Sequence, residues 1–77
     1  MENRLIDKLK RLFGNKVRKL RKQKKLTQVQ LAERLGCSVE FVGLIERGIN
    51  GASFETLDKL SQVLNVEVYE LFMFDEN

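Results

Sequence analysis

The sequence contains no histidine and no proline, and it has a single cysteine, Cys37. One cysteine excludes an intrachain disulfide and a cysteine-based zinc cluster. Without histidine, no imidazole is available to activate that thiol as a nucleophile. The sequence also lacks a glycine-rich phosphate loop ending in Lys and Ser or Thr. We therefore expect no enzyme activity, no cofactor, no metal ion and no small-molecule ligand, and we interpret Cys37 as a small turn residue.

Long apolar stretches are also missing. No run approaches the roughly 20 apolar residues that span a bilayer, and charged residues such as Asp7 and Lys8 interrupt any signal-peptide core near the start. We expect a cytoplasmic protein that binds no membrane. One alternative stays open, in which the basic amphipathic segment 3–25 lies on an anionic membrane surface.

Charge is distributed very unevenly along the chain. Residues 1–25 contain eleven Lys or Arg against two acids, whereas residues 26–77 contain three bases against nine acids. A basic block is either a solvated helix face or a surface for a polyanion. Its position directly before the motif described next favours nucleic acid.

The basic segment carries a helical repeat. Its apolar residues recur at spacings of three and four, as in an amphipathic helix: Leu5, Ile6, Leu9, Leu12, Phe13, Val17 and Leu20. Gly14 and Asn15 are poor helix formers in the middle of this pattern. The pattern therefore predicts either one helix over about 3–24 or two helices that break near Gly14.

Two short helices with clear end signals follow. Thr27 is a good N-cap, and Gln30 three residues later completes a capping box. Gly36 ends that helix, since glycine adopts a left-handed conformation at little cost. Ser38 is then the N-cap of a helix over about 39–47, which Gly48 stops. Leu31, Ala32, Leu35, Val42 and Ile45 supply a shared core.

The last third of the sequence predicts two more helices. Ser53 caps the first of them, whose apolar face is formed by Phe54, Leu57, Leu60 and Leu64 and which ends at Asn65. A short helix over about 67–72 presents Val68, Leu71 and Phe72. These patterns predict an all-α fold followed by a frayed tail over 73–77.

Two short helices joined by a tight glycine-containing turn are typical of the helix-turn-helix that reads DNA. The segment from about Thr27 to Gly48 meets that description. The start of its first helix presents unpaired backbone N–H groups suited to a phosphate. Gln28, the first residue of that helix, adds a side-chain amide at the same place. Thr27 and Ser38 are interpreted mainly as caps.

An ordered set of short motifs resembles the phage-repressor and Cro-like helix-turn-helix regulators over residues 13–72. The matching text is Val17-Arg18-Lys19-Leu20-Arg21, Leu26-Thr27-Gln28-x-Gln30-Leu31-Ala32-Glu33-x-Leu35-Gly36, Ser38, Ile45-Glu46-Arg47-Gly48, Ser53-Phe54-Glu55-Thr56-Leu57 and Glu70-Leu71-Phe72. The resemblance implies a compact five-helix bundle, a lambda-repressor-like DNA-binding domain over 13–72, with its helix-turn-helix at 27–48 and residues 1–12 as a helical extension. It also implies a transcriptional regulator, a repressor or restriction-system controller, that binds double-stranded DNA as a homodimer.

The resemblance also implies which residues meet DNA. The helix over 39–47 enters the major groove, and its base-reading positions fall on Val39, Glu40, Gly43 and Leu44. Phosphate contacts are expected from Gln28, Ser38, Phe41, Arg47 and Asn50, and Ile49 lies beside Asn50 in the loop that touches the DNA backbone. Independently of the resemblance, the basic segment is expected to flank the duplex and to add phosphate contacts from Lys16 and Lys25. Glu46 and Arg47 are expected to be partly structural, with Glu46 in local ion pairs or cap contacts.

The base-reading positions lack the usual side chains. None is an Arg, Gln or Asn, the residues that make bidentate contacts to guanine or adenine. Val39, Phe41 and Leu44 suit thymine methyl groups, and Glu40 suits a cytosine amino group. Two interpretations are open: affinity rests on phosphates and DNA shape, or this face binds protein, as in an antitoxin or adaptor.

A dimer interface is expected at the apolar carboxyl-terminal cluster Tyr69, Phe72, Met73 and Phe74. These side chains alternatively close the core of a single domain. The stripe Leu5, Leu9 and Leu12 is a second candidate interface.

Overall fold

The computed structural model describes residues 4–74. These form four α-helices, α1 (Arg4–Gln23), α2 (Gln28–Leu35), α3 (Val39–Glu46) and α4 (Phe54–Leu64), followed by a 3-10 helix, Val68–Phe72. Within residues 4–74 there is no β-strand. The all-α prediction is confirmed, whereas the fifth α-helix is wrong. Its five residues form one tight turn with i→i+3 bonds, such as Met73 N–H to the Glu70 carbonyl. Of the predicted tail 73–77, residues 75–77 lie outside the described part.

The first segment forms one continuous helix that passes through Gly14. A Cβ at position 14 would overlap the carbonyl oxygen of Ile45 and lie 2.8 Å from that of Glu46. Gly14 therefore does not break α1. Its lack of a side chain instead allows the backbones of α1 and α3 to approach each other closely.

The predicted caps of the helix-turn-helix are confirmed. The Thr27 hydroxyl accepts the Gln30 backbone N–H at 3.1 Å, and the Gln30 side chain accepts the Thr27 N–H at 2.9 Å. Gly36 ends α2 with a φ of +73°, and Ser38 accepts the Phe41 N–H at the start of α3. The resulting turn from Gly36 to Ser38 holds α2 and α3 against one core.

Gly48 ends the turn after α3 with a φ of +78°. A Cβ there would lie 2.8 Å from the Arg11 Cα, so α1 contacts this loop directly at Arg11. The predicted stop at Gly48 thus serves both the left-handed backbone and a close approach to α1.

The core gathers twelve buried hydrophobic side chains from all five helical segments and the α1–α2 connection: Phe13, Val17, Leu26, Leu31, Ala32, Leu35, Val42, Ile45, Leu57, Leu60, Leu64 and Leu71. Cys37 packs at its edge, and burial raises the pKa of its thiol, an effect that the charge of Lys59 partly opposes. A thiol with a raised pKa is a poor nucleophile, which fits the structural interpretation of Cys37.

Phe54 is a correction to the predicted apolar face of α4. It is 87% exposed, while Leu57, Leu60 and Leu64 are buried. Phe54 directly follows the Ser53 cap, so it stands in the first turn of α4, beyond the core that the later turns cover. Val68, also predicted to be apolar-facing, is 40% exposed.

The two helical glycines of α1 and α3 generate an opposed pair of predictions. We expect Gly14→Ala to lower the free energy of unfolding by about 2 kcal/mol, because the added methyl meets α3 backbone. Gly43→Ala is the matched control, since a Cβ at Gly43 meets nothing within 4 Å. It should raise stability by about 0.5–1 kcal/mol through helix propensity. Urea unfolding followed by circular dichroism measures both, and equal stability of the two variants would contradict the close α1–α3 contact.

Candidate nucleic-acid interface

A buried ion pair joins α1 to the end of α3. The Arg21 guanidinium donates from Nε to Glu46 Oε2 at 2.6 Å and from Nη2 to Glu46 Oε1 at 3.1 Å. Its Nη1 donates to the Leu26 carbonyl at 2.7 Å. The two side chains are only 9% and 2% exposed, so the pair is part of the core and fixes α3 against α1.

Gln28 extends this pair towards the surface. Its Nε2 donates to Glu46 Oε1 at 3.0 Å, which orients the amide at the start of α2. An amide nitrogen carries two hydrogens, so one N–H remains for an outside acceptor. Glu46 forms an ion pair, as expected, but the expectation of local contacts is wrong, because its partners lie on α1 and α2, 25 and 18 residues away.

The predicted base-reading residues lie together on one open groove. It is lined by Val39, Glu40, Gly43 and Leu44, by Gln28, Glu46 and Arg47, and by Arg18. The i, i+4 spacing of Val39 with Gly43, and of Glu40 with Leu44, places these residues on one face of α3. The structure thus brings together all four predicted base contacts and two of the predicted phosphate contacts, Gln28 and Arg47.

The other predicted phosphate contacts do not line this groove. Ser38 acts as the α3 cap, and the Phe41 backbone N–H is taken by that cap while its ring packs against the core. Lys25 is exposed in the α1–α2 turn with a left-handed φ of +59°. Asn50 lies in the loop after α3, where its N–H bonds the Leu44 carbonyl at 3.2 Å.

Lys16 faces another side of α1. It lines a second, smaller depression together with Leu12, Asn15, Lys19 and Phe74. Lys16 and Arg18 are two residues apart on a helix, about 200° around its axis, so they point in nearly opposite directions. A duplex seated on the α3 groove would therefore meet Arg18 and not Lys16.

Arg18 is the groove residue absent from the sequence-based predictions. It stands one turn after Gly14, and the i, i+4 relation puts it on the face of α1 that meets α3. Interpreting Gly14 as a close helix contact, and not as a possible break, would have pointed to Arg18.

The groove combines cations at its edges with apolar and acidic groups along α3. Arg47 folds back so that its Nε donates to the Gly43 carbonyl at 3.2 Å, and its side chain remains exposed. Val39 is 37% exposed. Of the two carboxylates, Glu46 is neutralised by Arg21, whereas Glu40 is exposed to solvent.

Comparison with known proteins places this arrangement in a family. The sequence model described as helix-turn-helix matches residues 17–71. The immunity repressor protein of Bacillus phage phi105 is 38% identical over 55 residues, which are 71% of this chain but only 38% of that repressor. The control protein C.MunI from a Mycoplasma species is 35% identical over 68 residues, covering 87% of this chain and 92% of C.MunI.

A solved structure agrees in fold. The restriction-modification controller protein C.AhdI from Aeromonas hydrophila superposes with a TM-score of 0.78 at 38% identity, over 82% of this chain and 96% of that protein. The chain belongs to the helix-turn-helix family. The predicted resemblance to phage-repressor and Cro-like regulators is confirmed, and so, at the level of the family, is the prediction of a helix-turn-helix transcriptional regulator.

Two further observations concern other kinds of site. Over residues 4–74, no helix is both long and apolar enough to cross a membrane. The same residues contain no group of three or more His, Cys, Asp or Glu side chains placed to hold a metal ion.

The buried Arg21–Glu46 pair generates the second prediction. Arg21→Met leaves the Glu46 carboxylate buried without its cation and should lower the free energy of unfolding by about 3 kcal/mol or more. Adding Glu46→Leu should recover much of that loss, because a buried pair replaced by apolar groups of similar size is often neutral. Lys22→Met, at an exposed position of the same helix, is the control and should change stability by less than about 0.5 kcal/mol. Urea unfolding of these variants measures this, and a double variant no more stable than Arg21→Met alone would refute the account.

Proposed function

We propose that this protein is a sequence-specific regulator of transcription that binds double-stranded DNA with α3 in the major groove, acting in the cytoplasm. The observation that carries the proposal is the single groove on which all four base-reading positions meet Arg18, Gln28 and Arg47. Base contacts from one helix, bordered by phosphate contacts from its neighbours, are the arrangement by which a helix-turn-helix reads DNA.

The dimensions of α3 support this placement. Its eight residues span about 12 Å, and an α-helix with side chains is about 10–12 Å across. The major groove of B-DNA is about 12 Å wide and admits such a helix. The N-terminal part of α3 then meets base edges through Val39 and Glu40, with Gly43 and Leu44 one turn further on.

Phosphate contacts are assigned to residues from three segments. Arg18 comes from α1, Gln28 from the start of α2, where the first backbone N–H groups lack helical partners, and Arg47 from the end of α3. The exposed loop residue Ile49 and its neighbour Asn50 follow α3, and we assign both to contacts with the sugar-phosphate backbone of the DNA. Ser38 lies at the start of α3 and Lys25 just before α2, and both are assigned weaker phosphate contacts, whereas Lys16 faces away from the groove.

We also assign a homodimer, because one α3 reads only half of a pseudo-palindromic site. The exposed apolar residues near the carboxyl end support it: Tyr69 and Met73 are 66% and 57% exposed. The Phe72 ring stacks on Phe13 at 5.3 Å and meets Phe74 edge-on at 6.2 Å, so these two rings partly close the core as well.

The first turns of α1 offer the alternative dimer surface. Leu5 and Leu9 are 67% and 43% exposed, and Ile6 beside them is 42% exposed. Leu9 lies one turn before Phe13, whose ring Phe72 covers, so this stripe continues towards the carboxyl-terminal cluster.

A second function, a protein-interaction module, is favoured by one observation: the base-reading positions of α3 carry apolar or acidic side chains, with no base-reading amide or guanidinium among them. A gel-shift assay with random genomic fragments at low salt separates the two functions. Binding supports the regulator, and complete absence of binding would establish that the DNA-reading function has been lost.

The phosphate contacts generate the third prediction. Arg18→Ala should weaken binding to every DNA sequence and reduce the slope of log K against log salt by about 0.9, since one fewer counterion is released. Gln28→Ala should weaken binding by about two- to tenfold, the effect of one hydrogen bond, without changing the slope, because the amide is uncharged. Fluorescence anisotropy over a salt series measures both.

The matched control is Arg34→Ala. Arg34 is exposed near the other end of α2, about 9 Å along the helix from Gln28, and does not line the groove. It should leave the slope nearly unchanged. Equal slopes for the Arg18 and Arg34 variants would place the duplex elsewhere.

The two dimer surfaces generate the fourth prediction. Met73→Glu should shift the protein from dimer to monomer if the carboxyl-terminal cluster forms the interface, because the interface would bury an unpaired charge. Leu5→Glu, at another apolar position that is more than half exposed, should leave that dimer intact. Sedimentation at high micromolar concentration gives the mass, and a monomeric wild-type protein would remove the dimer from the proposal.

A further inference from the structure

We infer that Glu40 determines specificity by accepting a hydrogen bond from the exocyclic amino group of a cytosine in each half-site. The inference rests on the proposed DNA-reading function and adds to it a particular base and a particular atom. Glu40 lines the groove beside Gly43 and Leu44, at the second position of α3.

The carboxylate of Glu40 is available for a new contact. Among residues 4–74, no group donates a hydrogen bond to it or forms an ion pair with it. The other carboxylate of the groove, Glu46, is in the opposite state, since Arg21 and Gln28 occupy its oxygens. The groove therefore holds one structural carboxylate and one exposed carboxylate that faces the surrounding medium.

A carboxylate near a duplex is selective because it can only accept hydrogen bonds. It repels phosphates, and it repels the N7 and O6 acceptors of guanine and the O4 acceptor of thymine. Only the amino groups of cytosine and adenine donate into the major groove. Adenine carries its N7 acceptor next to its amino group, so a carboxylate meets less repulsion at cytosine.

The surroundings of Glu40 fit a pyrimidine. Val39 precedes it and Leu44 lies one turn on, so apolar side chains border the carboxylate on the groove surface. These suit the C5 edge of a pyrimidine ring, which carries no polar atom. Gly43 adds no side chain, and the space at its Cβ position is empty, which leaves room for the base edge to approach α3.

Two methylated cytosines test the contact atom by atom. After the site preferred by the wild-type protein is selected from random duplexes, each cytosine is replaced in turn by N4-methylcytosine or 5-methylcytosine. The N4-methyl group replaces the hydrogen that points into the major groove, whereas the 5-methyl group leaves that donor in place. At one cytosine per half-site, we expect the N4-methyl group to weaken binding by about tenfold or more, the effect of a hydrogen bond to a charged group. The 5-methyl group should change binding by less than about twofold.

The matched protein variants are Glu40→Gln and Glu33→Gln. An amide at position 40 presents both a donor and an acceptor, the pair that recognises adenine N6 and N7. The Glu40 variant should therefore select adenine where the wild type selects cytosine and should lose the N4-methyl penalty. Glu33 is exposed on α2 and does not line the groove, so its variant makes the same charge change and should keep the wild-type preference.

The possible results distinguish failure of the Glu40 contact from failure of the proposed DNA-reading function. A Glu40 variant that binds every sequence more tightly but selects the wild-type site would overturn the role of Glu40 and leave the DNA-reading function standing. Absence of the N4-methyl penalty at every cytosine would overturn that role in the same way. Failure of the wild-type protein to select any site would overturn both. Circular dichroism of the exposed-site variants checks that each remains folded.

Discussion

The position of α3 depends on its contact with α1, where the two helix backbones approach closely and a buried ion pair joins them. Gly14 lets α1 come within backbone distance of the end of α3, and Arg21, two turns along the same helix, binds the carboxylate of Glu46 there. A buried charge pair contributes little net stability when compared with apolar packing. It does demand a particular geometry, because an Arg fork and a carboxylate bind well only in one relative orientation. The pair therefore fixes where α3 lies.

The same carboxylate connects the core to the surface. Glu46 accepts from Arg21 on α1 and from Gln28 at the start of α2, so three helices are oriented around one acidic group. Gln28 is consequently held beside α3, and Arg18 lines the same groove from the face of α1 that meets α3. The core and the groove are thus physically linked through Glu46, which is buried and also lines the groove.

Sequence alone predicted the features that depend on neighbours along the chain. Thr27 with Gln30, Gly36 and Ser38 mark helix ends by local hydrogen bonds and backbone conformation, and all of them were placed correctly. The features it missed depend on contacts between distant segments. Glycine is a poor helix former, so Gly14 alone suggests a helix break. Its role as a close-contact position follows only from the nearby backbone of Ile45. Phe54 follows the apolar pattern of α4 but is exposed, because the core does not extend to the first turn of that helix. Arg18 cannot be distinguished from the other basic residues of α1 in the sequence, and only the position of α3 shows that it lines the groove.

The absence of a side chain at Gly43 determines where the groove surface tolerates substitution. No atom outside α3 occupies the space where a side chain would begin, so a new residue there extends outward without disturbing the packed interior. The packing of the core and the side chains of the groove can therefore change at separate positions. A single substitution at this site therefore adds a side chain to the groove while the scaffold is retained.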